Sequence, residues 1–394
     1  MRILVISSLL LFKETRYGGA KRLYSFVYEL SRFADVHTIC LDASGEAPDF
    51  EKSGECLQNF LFLPQCHPPL PAPYKFFYSP IDFQQLVRKN RLSIDRFLNN
   101  RPFDAVLLAY PLALSFLCIP QIQAINRAVY LEDDLILETL RNTASGQRSI
   151  VLKFLKKIRY WQTFRFYRKA LKHITAWIAI SSQEQEIIKS YFPAATVSVL
   201  KYGVDLEEYP LLPLSPAAKR IGFIGNFLHA PNADAMHHFL GAIFPFLAES
   251  MPDLELIIGG KNIPDAIRNH NPSKGKIECI EDFPDIADFY RSITVFVNPI
   301  VSRRGLRTKL IEAAAFGRPI ISTPLGAEGL EDLMILKAES KKEYRDHLNA
   351  LFTDQILAES IRMRNRRQIE NVYTGSALAK RLFSILTAPT ADAE

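Results

Sequence analysis

Several things are missing from this chain, and each absence removes a class. No apolar run approaches the ~18 residues that a membrane-spanning helix needs, so none is expected. The five cysteines, Cys40, Cys56, Cys66, Cys118 and Cys279, are scattered with no Cys-x-x-Cys or Cys-x-x-His spacing. That speaks against a disulfide framework or structural zinc and for a reducing, cytoplasmic compartment. No Gly-x-Gly-x-x-Gly follows the first strand of either half, which disfavours a dinucleotide-dependent oxidoreductase. No Asp-x-Asp pair stands out, so no metal is expected. The opening run Arg2–Phe12 reads as a buried strand entering a loop. A signal peptide fits less well, because the basic n-region is a single arginine, Arg2, and no small-x-small cleavage site follows.

What is present is ordinary in bulk and specific in pattern. At 394 residues two domains are the natural expectation. An apolar share of 48% and a charged share of 23% suit a globular chain. A net charge of +6 permits anionic partners without calling for nucleic acid.

Short β-branched runs alternate with longer helical patterns. The runs 3–6, 36–41, 105–109, 128–131, 176–180 and 196–200 read as strands. The stretches 20–33, 83–99, 112–124, 149–173 and 182–191 read as helices. Near-continuously apolar strands separated by helices predict a parallel sheet covered on both faces. Residues 42–81, with Pro64, Pro68, Pro69, Pro71 and Pro73, predict an irregular surface excursion. A second series starts at Arg220, with strands at 221–224, 254–258, 276–280, 294–298 and 319–322. Its helices are expected at 232–249, 286–291 and 307–316. The Pro-punctuated stretch 209–218 is expected to be a linker between domains 1–208 and 219–370. A C-terminal helix and tail, 371–394, are expected to return to the first domain. The fold class is therefore α/β, two Rossmann-like domains in series with C-terminal helices. Ligands of such sheets bind outside the carboxyl ends of the strands, which implies a central cleft.

The segment 305–324 carries the most information. It reads as a glycine turn, a helix, a Gly317-Arg318-Pro319 break and a buried strand. A helix N-terminus favours an anion, yet Arg307 and Lys309 occupy that first turn against the macrodipole. Cations so placed suggest an anionic partner such as a diphosphate. Glu312 follows one turn on, about 5 Å along the axis. Taken alone, the segment also fits a surface helix with a Lys309–Glu312 pair at i, i+3.

The surroundings favour the first view. Tyr17-Gly18-Gly19-Ala20-Lys21-Arg22, Ile178-Ala179-Ile180-Ser181-Ser182 and Lys201-Tyr202-Gly203-Val204-Asp205 come in order. Then follow Ile221-Gly222-Phe223-Ile224-Gly225-Asn226, Ala230-Pro231-Asn232-Ala233-Asp234, Arg307-x-Lys309-x-x-Glu312 and Gly326-Ala327-Glu328-Gly329-Leu330. In this array the chain resembles the retaining, family 4-like glycosyltransferases of the two-Rossmann-domain (GT-B) fold. These transfer sugars from nucleotide-sugar donors in bacterial polysaccharide and glycolipid synthesis.

The resemblance implies roles. Glu312 would bind the ribose hydroxyls. Arg307, Lys309, Gly225, Asn226 and Gly19 would meet the donor diphosphate. Gly18 and Arg304 would meet the acceptor or the transferred sugar. It implies a nucleoside diphosphate sugar as donor, a glycan or lipid-linked acceptor and no metal. The family's pair of glutamates separated by seven residues is broken, since Arg304 stands where the first would be. Its usual histidine after a first-domain strand is also absent. Asp133 and Asp134 stand nearby and fit either cleft carboxylates with a catalytic role or a helix N-cap. A nucleotide-sugar 2-epimerase and a non-catalytic nucleotide-binding protein share the architecture and remain alternatives.

One further stretch is distinctive. From Arg148 to His173 there is no acidic residue, and basic and apolar positions recur at helical spacing. Trp161, Phe164 and Tyr167 are expected on one face. Such a helix can lie on an anionic membrane surface. It equally suits a core-facing helix with a solvated basic side.

Overall fold

The computed structural model describes residues 1–7, 11, 18–41, 59–63, 80–99, 102–125, 128–131, 150–201, 203–214, 219–281, 283–302 and 308–388. The chain folds as two compact units, residues 1–203 with 375–394, and residues 204–374.

In the first unit the strands are β1 Arg2–Ser7, β2 Asp35–Leu41, β3 Asn59–Leu63, β4 Ala105–Ala109, β5 Ala128–Leu131, β6 Ala176–Ala179 and β7 Val197–Val199. They form one sheet in the order β3-β2-β1-β4-β5-β6-β7, and every pair is parallel. The helices are α1 Gly18–Ser31, α2 Pro80–Lys89, α3 Arg91–Leu98, α4 Ile150–Ala170 and α5 Ser182–Tyr191. Side chains of a strand alternate between faces. Ile3 and Val5 of β1 therefore join one core, and Leu4 and Ile6 join the other. The first core is built with Leu23, Phe26, Val27 and Leu30 of α1. The second includes Leu86, Val87, Tyr167 and Trp177.

The second unit repeats the plan. Its strands are β8 Arg220–Asn226, β9 Glu255–Lys261, β10 Lys276–Glu281, β11 Val295–Asn298, β12 Ile320–Ser322 and β13 Leu336–Lys337. Their order is β10-β9-β8-β11-β12-β13, again wholly parallel. The helices are α6 Ala230–His238, α7 Phe244–Ser250, α8 Ile286–Ser292, α9 Thr308–Ala315, α10 Lys341–Thr353 and α11 Gln355–Val372. Last comes α12 Gly375–Thr387, which belongs to the first unit. There Leu378, Leu382, Ile385 and Leu386 complete the α1 face of the first sheet.

Several sequence expectations need correction. The helix expected over 83–99 is two helices that meet at Asn90, whose φ of −92° and ψ of 12° leave the helical region. The stretch 112–124 is a 3₁₀ run, Pro111–Cys118, ended by Pro120 and followed by a single α turn. The helix expected over 232–249 is interrupted by a π turn, Phe239–Ile243. Pro245 has no N–H to offer the Gly241 carbonyl, and the ladder widens there. The excursion 42–81 contains β3, a half-buried edge strand.

The stretch 209–214, read as linker, packs into the second unit. Leu212 is buried. Three arginines hold its carbonyls: Arg366 Nη1 on Tyr209 at 2.7 Å, Arg362 Nη2 on Leu212 and Arg318 Nη2 on Pro213, both at 2.9 Å. The aromatic face expected on α4 also splits. Tyr167 is buried and Phe164 half-buried against the core, while Trp161 points to solvent. Successive i, i+3 steps drift by about 60° on a 3.6-residue helix, enough to carry the third ring off the first ring's face. Among the described residues no helix is long and apolar enough to cross a membrane.

Candidate functional site

Chain order reverses at β8, which has β9 on one side and β11 on the other. A ligand of a doubly wound sheet binds at the carboxyl end of such a switch. Gly225 and Asn226, expected just after the strand, are its last two residues. Gly225 pairs with Gly260 of β9. Gly260 has φ +130°, and a Cβ there would stand 1.9 Å from the Gly225 carbonyl oxygen. The two strands can close at this point only with glycine on β9.

Gly225 is crowded in a different way. A Cβ on it would lie 2.8 Å from Asn232 Nδ2 and 3.1 Å from Lys309 Nζ. The missing side chain therefore lets an amide and a cation pack against the end of the strand. Lys309 is the second residue of α9 and is half-buried. Its Nζ donates to Asn232 Oδ1 at 2.9 Å and lies 4.2 Å from the Phe223 ring centroid. The amide oxygen and the π face offset the unfavourable macrodipole that a cation meets in a first helical turn. Asn232 is buried and donates through Nδ2 to the Asn226 carbonyl at 2.8 Å, which fixes the amide's orientation. Asn226 Oδ1 accepts from Leu228 N and from Asn262 Nδ2, both at 3.1 Å.

Glu312 lies one turn beyond Lys309 and is half-buried. The Tyr290 hydroxyl donates to the Lys309 carbonyl at 3.2 Å and reaches Glu312 Oε2 at 3.5 Å. Burial first, and the Glu312 charge second, hold the Tyr290 hydroxyl well above its ordinary range. It therefore stays a proton donor to α9. Beside it, Asn298 ends β11 and donates to Ser322 Oγ at 3.0 Å and to the Gly326 carbonyl at 3.2 Å. These bonds tie the Gly326-Ala327-Glu328 turn to the carboxyl edge.

The structure thus brings Gly225, Asn226, Lys309 and Glu312 to one edge of one sheet. Gly18 and Gly19 open α1 in the first unit. Asp133, Asp134, Arg304 and Arg307 lie outside the described residues. The surface-pair view of Lys309 is set aside by its burial and its bond to Asn232. Sequence reasoning quoted Asn232 only as part of a motif, and did not single out Phe223, Asn262 or Tyr290. Asn232 Oδ1 and Lys309 Nζ meet across a separation of 77 residues, and no local pattern announces such a contact.

The model for "Glycosyl transferases group 1" matches residues 218–354. A phosphatidyl-myo-inositol mannosyltransferase of Propionibacterium freudenreichii subsp. shermanii is 24% identical over 241 residues, 60% of this chain. The match spans 56% of that relative, so just over half its length is represented. Among solved structures, sucrose-phosphate synthase from Thermosynechococcus elongatus superposes with a TM-score of 0.64 at 14% identity, over 98% of both chains. Anabaena HepE in complex with UDP and glucose gives 0.61 at 13% identity, over 99% of this chain and all of that one. Both sheets, their parallel order and their helical cover are those of these structures. Residues 218–354 match the glycosyl transferases group 1 model, and the chain has the GT-B fold of these glycosyltransferases.

Proposed function

We propose that the protein transfers a sugar from a nucleoside diphosphate sugar to a glycan or lipid-linked acceptor, with retention of anomeric configuration. The observation that carries this reading is the Lys309 ammonium held directly against the Gly225 backbone at the carboxyl end of β8, with Glu312 one helical turn away. The spacing suits a diphosphate on Lys309 and a ribose on Glu312, whose carboxylate accepts two hydroxyls in charge-assisted bonds. The leaving nucleoside diphosphate gains negative charge as the glycosidic bond breaks, and a fixed cation stabilises that change. Arg307, two residues before Lys309, adds a second cation, and no metal is needed to balance the charge. The donor phosphate then accepts the acceptor's proton as the new bond forms on the same face of the sugar. Asp133 and Asp134, which follow β5 in the chain, contact sugar hydroxyls. Likeness to a protein solved with UDP and UDP-glucose makes UDP the first nucleotide to test. Cell-surface polysaccharide or glycolipid synthesis is the setting that such an acceptor implies.

The test is a thermal-shift series with UDP, GDP and ADP and their sugars, on the wild type and on Lys309→Met and Glu312→Gln. A ligand that binds only the folded state raises the midpoint by mass action. One diphosphate should do so, and both variants should lose the shift. No shift with any nucleotide would reduce the likeness to one of fold. Product stereochemistry, read by NMR once transfer is detected, decides retention against inversion.

A further inference from the structure

The outer face of α4 is divided along its length. Phe154, Ile158 and Trp161 project from its first half with 64%, 41% and 53% of their surface exposed. Arg165, Arg168 and Lys169 project from its second half, all exposed. At 100° per residue these six positions fall within one sector of about 100°. The opposite face is fixed, since Tyr160, Phe164 and Tyr167 pack into the first unit's core. The orientation of the outer face therefore follows from the fold. Trp161 is also steadied, with its ring edge-on to Tyr160 and Phe164 at 6.0 and 6.1 Å.

Single exposed apolar side chains are unremarkable, but three on adjoining turns of one face form a patch that water disfavours. Charge narrows what covers the patch. Residues 148–173 hold no carboxylate, so a second copy docking α4 on α4 would set cation against cation. An anionic bilayer meets both halves. Its headgroups pair with the arginines and the lysine, and its interface takes a tryptophan, whose ring has an apolar body and one polar N–H. An amphipathic helix settles about 5–10 Å into the headgroup boundary, which suits side chains standing off one face.

We infer that α4 is a membrane-docking helix that seats Phe154, Ile158 and Trp161 in the interface of an anionic lipid surface, with Arg165, Arg168 and Lys169 on its headgroups. This goes beyond sugar transfer and does not depend on it. The surface lies on the first unit, and lipid binding needs no nucleotide.

The two tryptophans of the chain make the test direct. Trp177 is buried at 1% exposure, so a change in emission on adding lipid reports Trp161, and Trp177→Phe removes the background. The full chain is titrated with vesicles of phosphatidylcholine alone and with vesicles containing a third phosphatidylglycerol. With the anionic vesicles, emission shifts to the blue and brominated lipid quenches it; neutral vesicles give little of either. Reversing Arg165, Arg168 and Lys169 to Glu weakens partitioning about a hundredfold or more. Ile158→Ser with Phe154→Ser weakens it about tenfold and leaves circular dichroism unchanged. Equal binding to neutral vesicles, unchanged binding by the triple reversal, or a blue shift that appears with protein concentration and no lipid would each overturn the inference. The last would make the patch an interface between copies. A protein that docks but shows no nucleotide shift would leave this inference standing and remove the donor reading.

Discussion

The two sheets share a strand order and differ at the carboxyl edge of their central strand. In the second unit β8 runs into α6 through residues 227–229 only. That short connection places Asn232 within two residues of the helix start and holds it on the Asn226 carbonyl. In the first unit β1 and α1 are separated by residues 8–17. A short connection between rigid elements fixes a side chain, and a longer one leaves sequence free to vary. Under the function proposed above, the fixed groups of the second unit would serve the donor's constant part, the diphosphate. The acceptor of that proposal would then fall to the first unit.

The comparison breaks first at Lys309. If the second unit holds the donor diphosphate, Lys309→Met should lower the rate of sugar transfer about 10²–10³-fold, the scale for removing one charge-stabilising group. An unchanged rate would return the site to a merely structural one. Next is the glycine pair. Gly260→Ala combines a left-handed φ with a clash against the Gly225 carbonyl, and should cost about 2–4 kcal/mol in urea unfolding of the second unit. Asn232→Ala sharpens the contrast. It leaves the Lys309 charge and removes the amide that orients it, so KM for the donor should rise about tenfold while the unfolding midpoint moves little. The smallest effect is expected in the first unit's core. Trp177 Nε1 is buried with no hydrogen-bond partner among the described residues, so Trp177→Phe removes that donor along with some contact. Its cost should stay within about 1–2 kcal/mol, with transfer unaffected. A large loss of transfer there would mean that the first unit's core, and not only its loops, shapes the site.

The strands were legible because a parallel sheet buries both faces of each strand, and Ile3 to Ile6 or Ala105 to Ala109 are apolar without a break. β3 was not legible. It is a half-buried edge strand, Asn59-Phe60-Leu61-Phe62-Leu63, set among prolines that signalled a loop. The breaks at Asn90 and at Phe239–Ile243 were missed because apolar periodicity continues through them while the backbone ladder does not. Lys309 and Glu312 were legible through their spacing on one helix. Asn232, Phe223 and Tyr290 were not, because their roles depend on which helix lies over which strand. The stretch 209–214 looked like a linker from its prolines; three arginines far along the chain, Arg318, Arg362 and Arg366, make it part of the second unit.

The route of the chain bears on how the protein is made. The first unit is begun by β1 and closed by α12, with residues 204–374 inserted between. Where the insertion starts and stops, Val204 N bonds the Tyr373 carbonyl at 2.7 Å, so the two crossings lie side by side. During synthesis the second unit is complete once residue 374 has left the ribosome. Until α12 follows, the α1 face of the first sheet lacks Leu378, Leu382, Ile385 and Leu386. The half made first is thus finished last, and a nascent chain stalled before residue 375 would present an unsealed apolar face to chaperones.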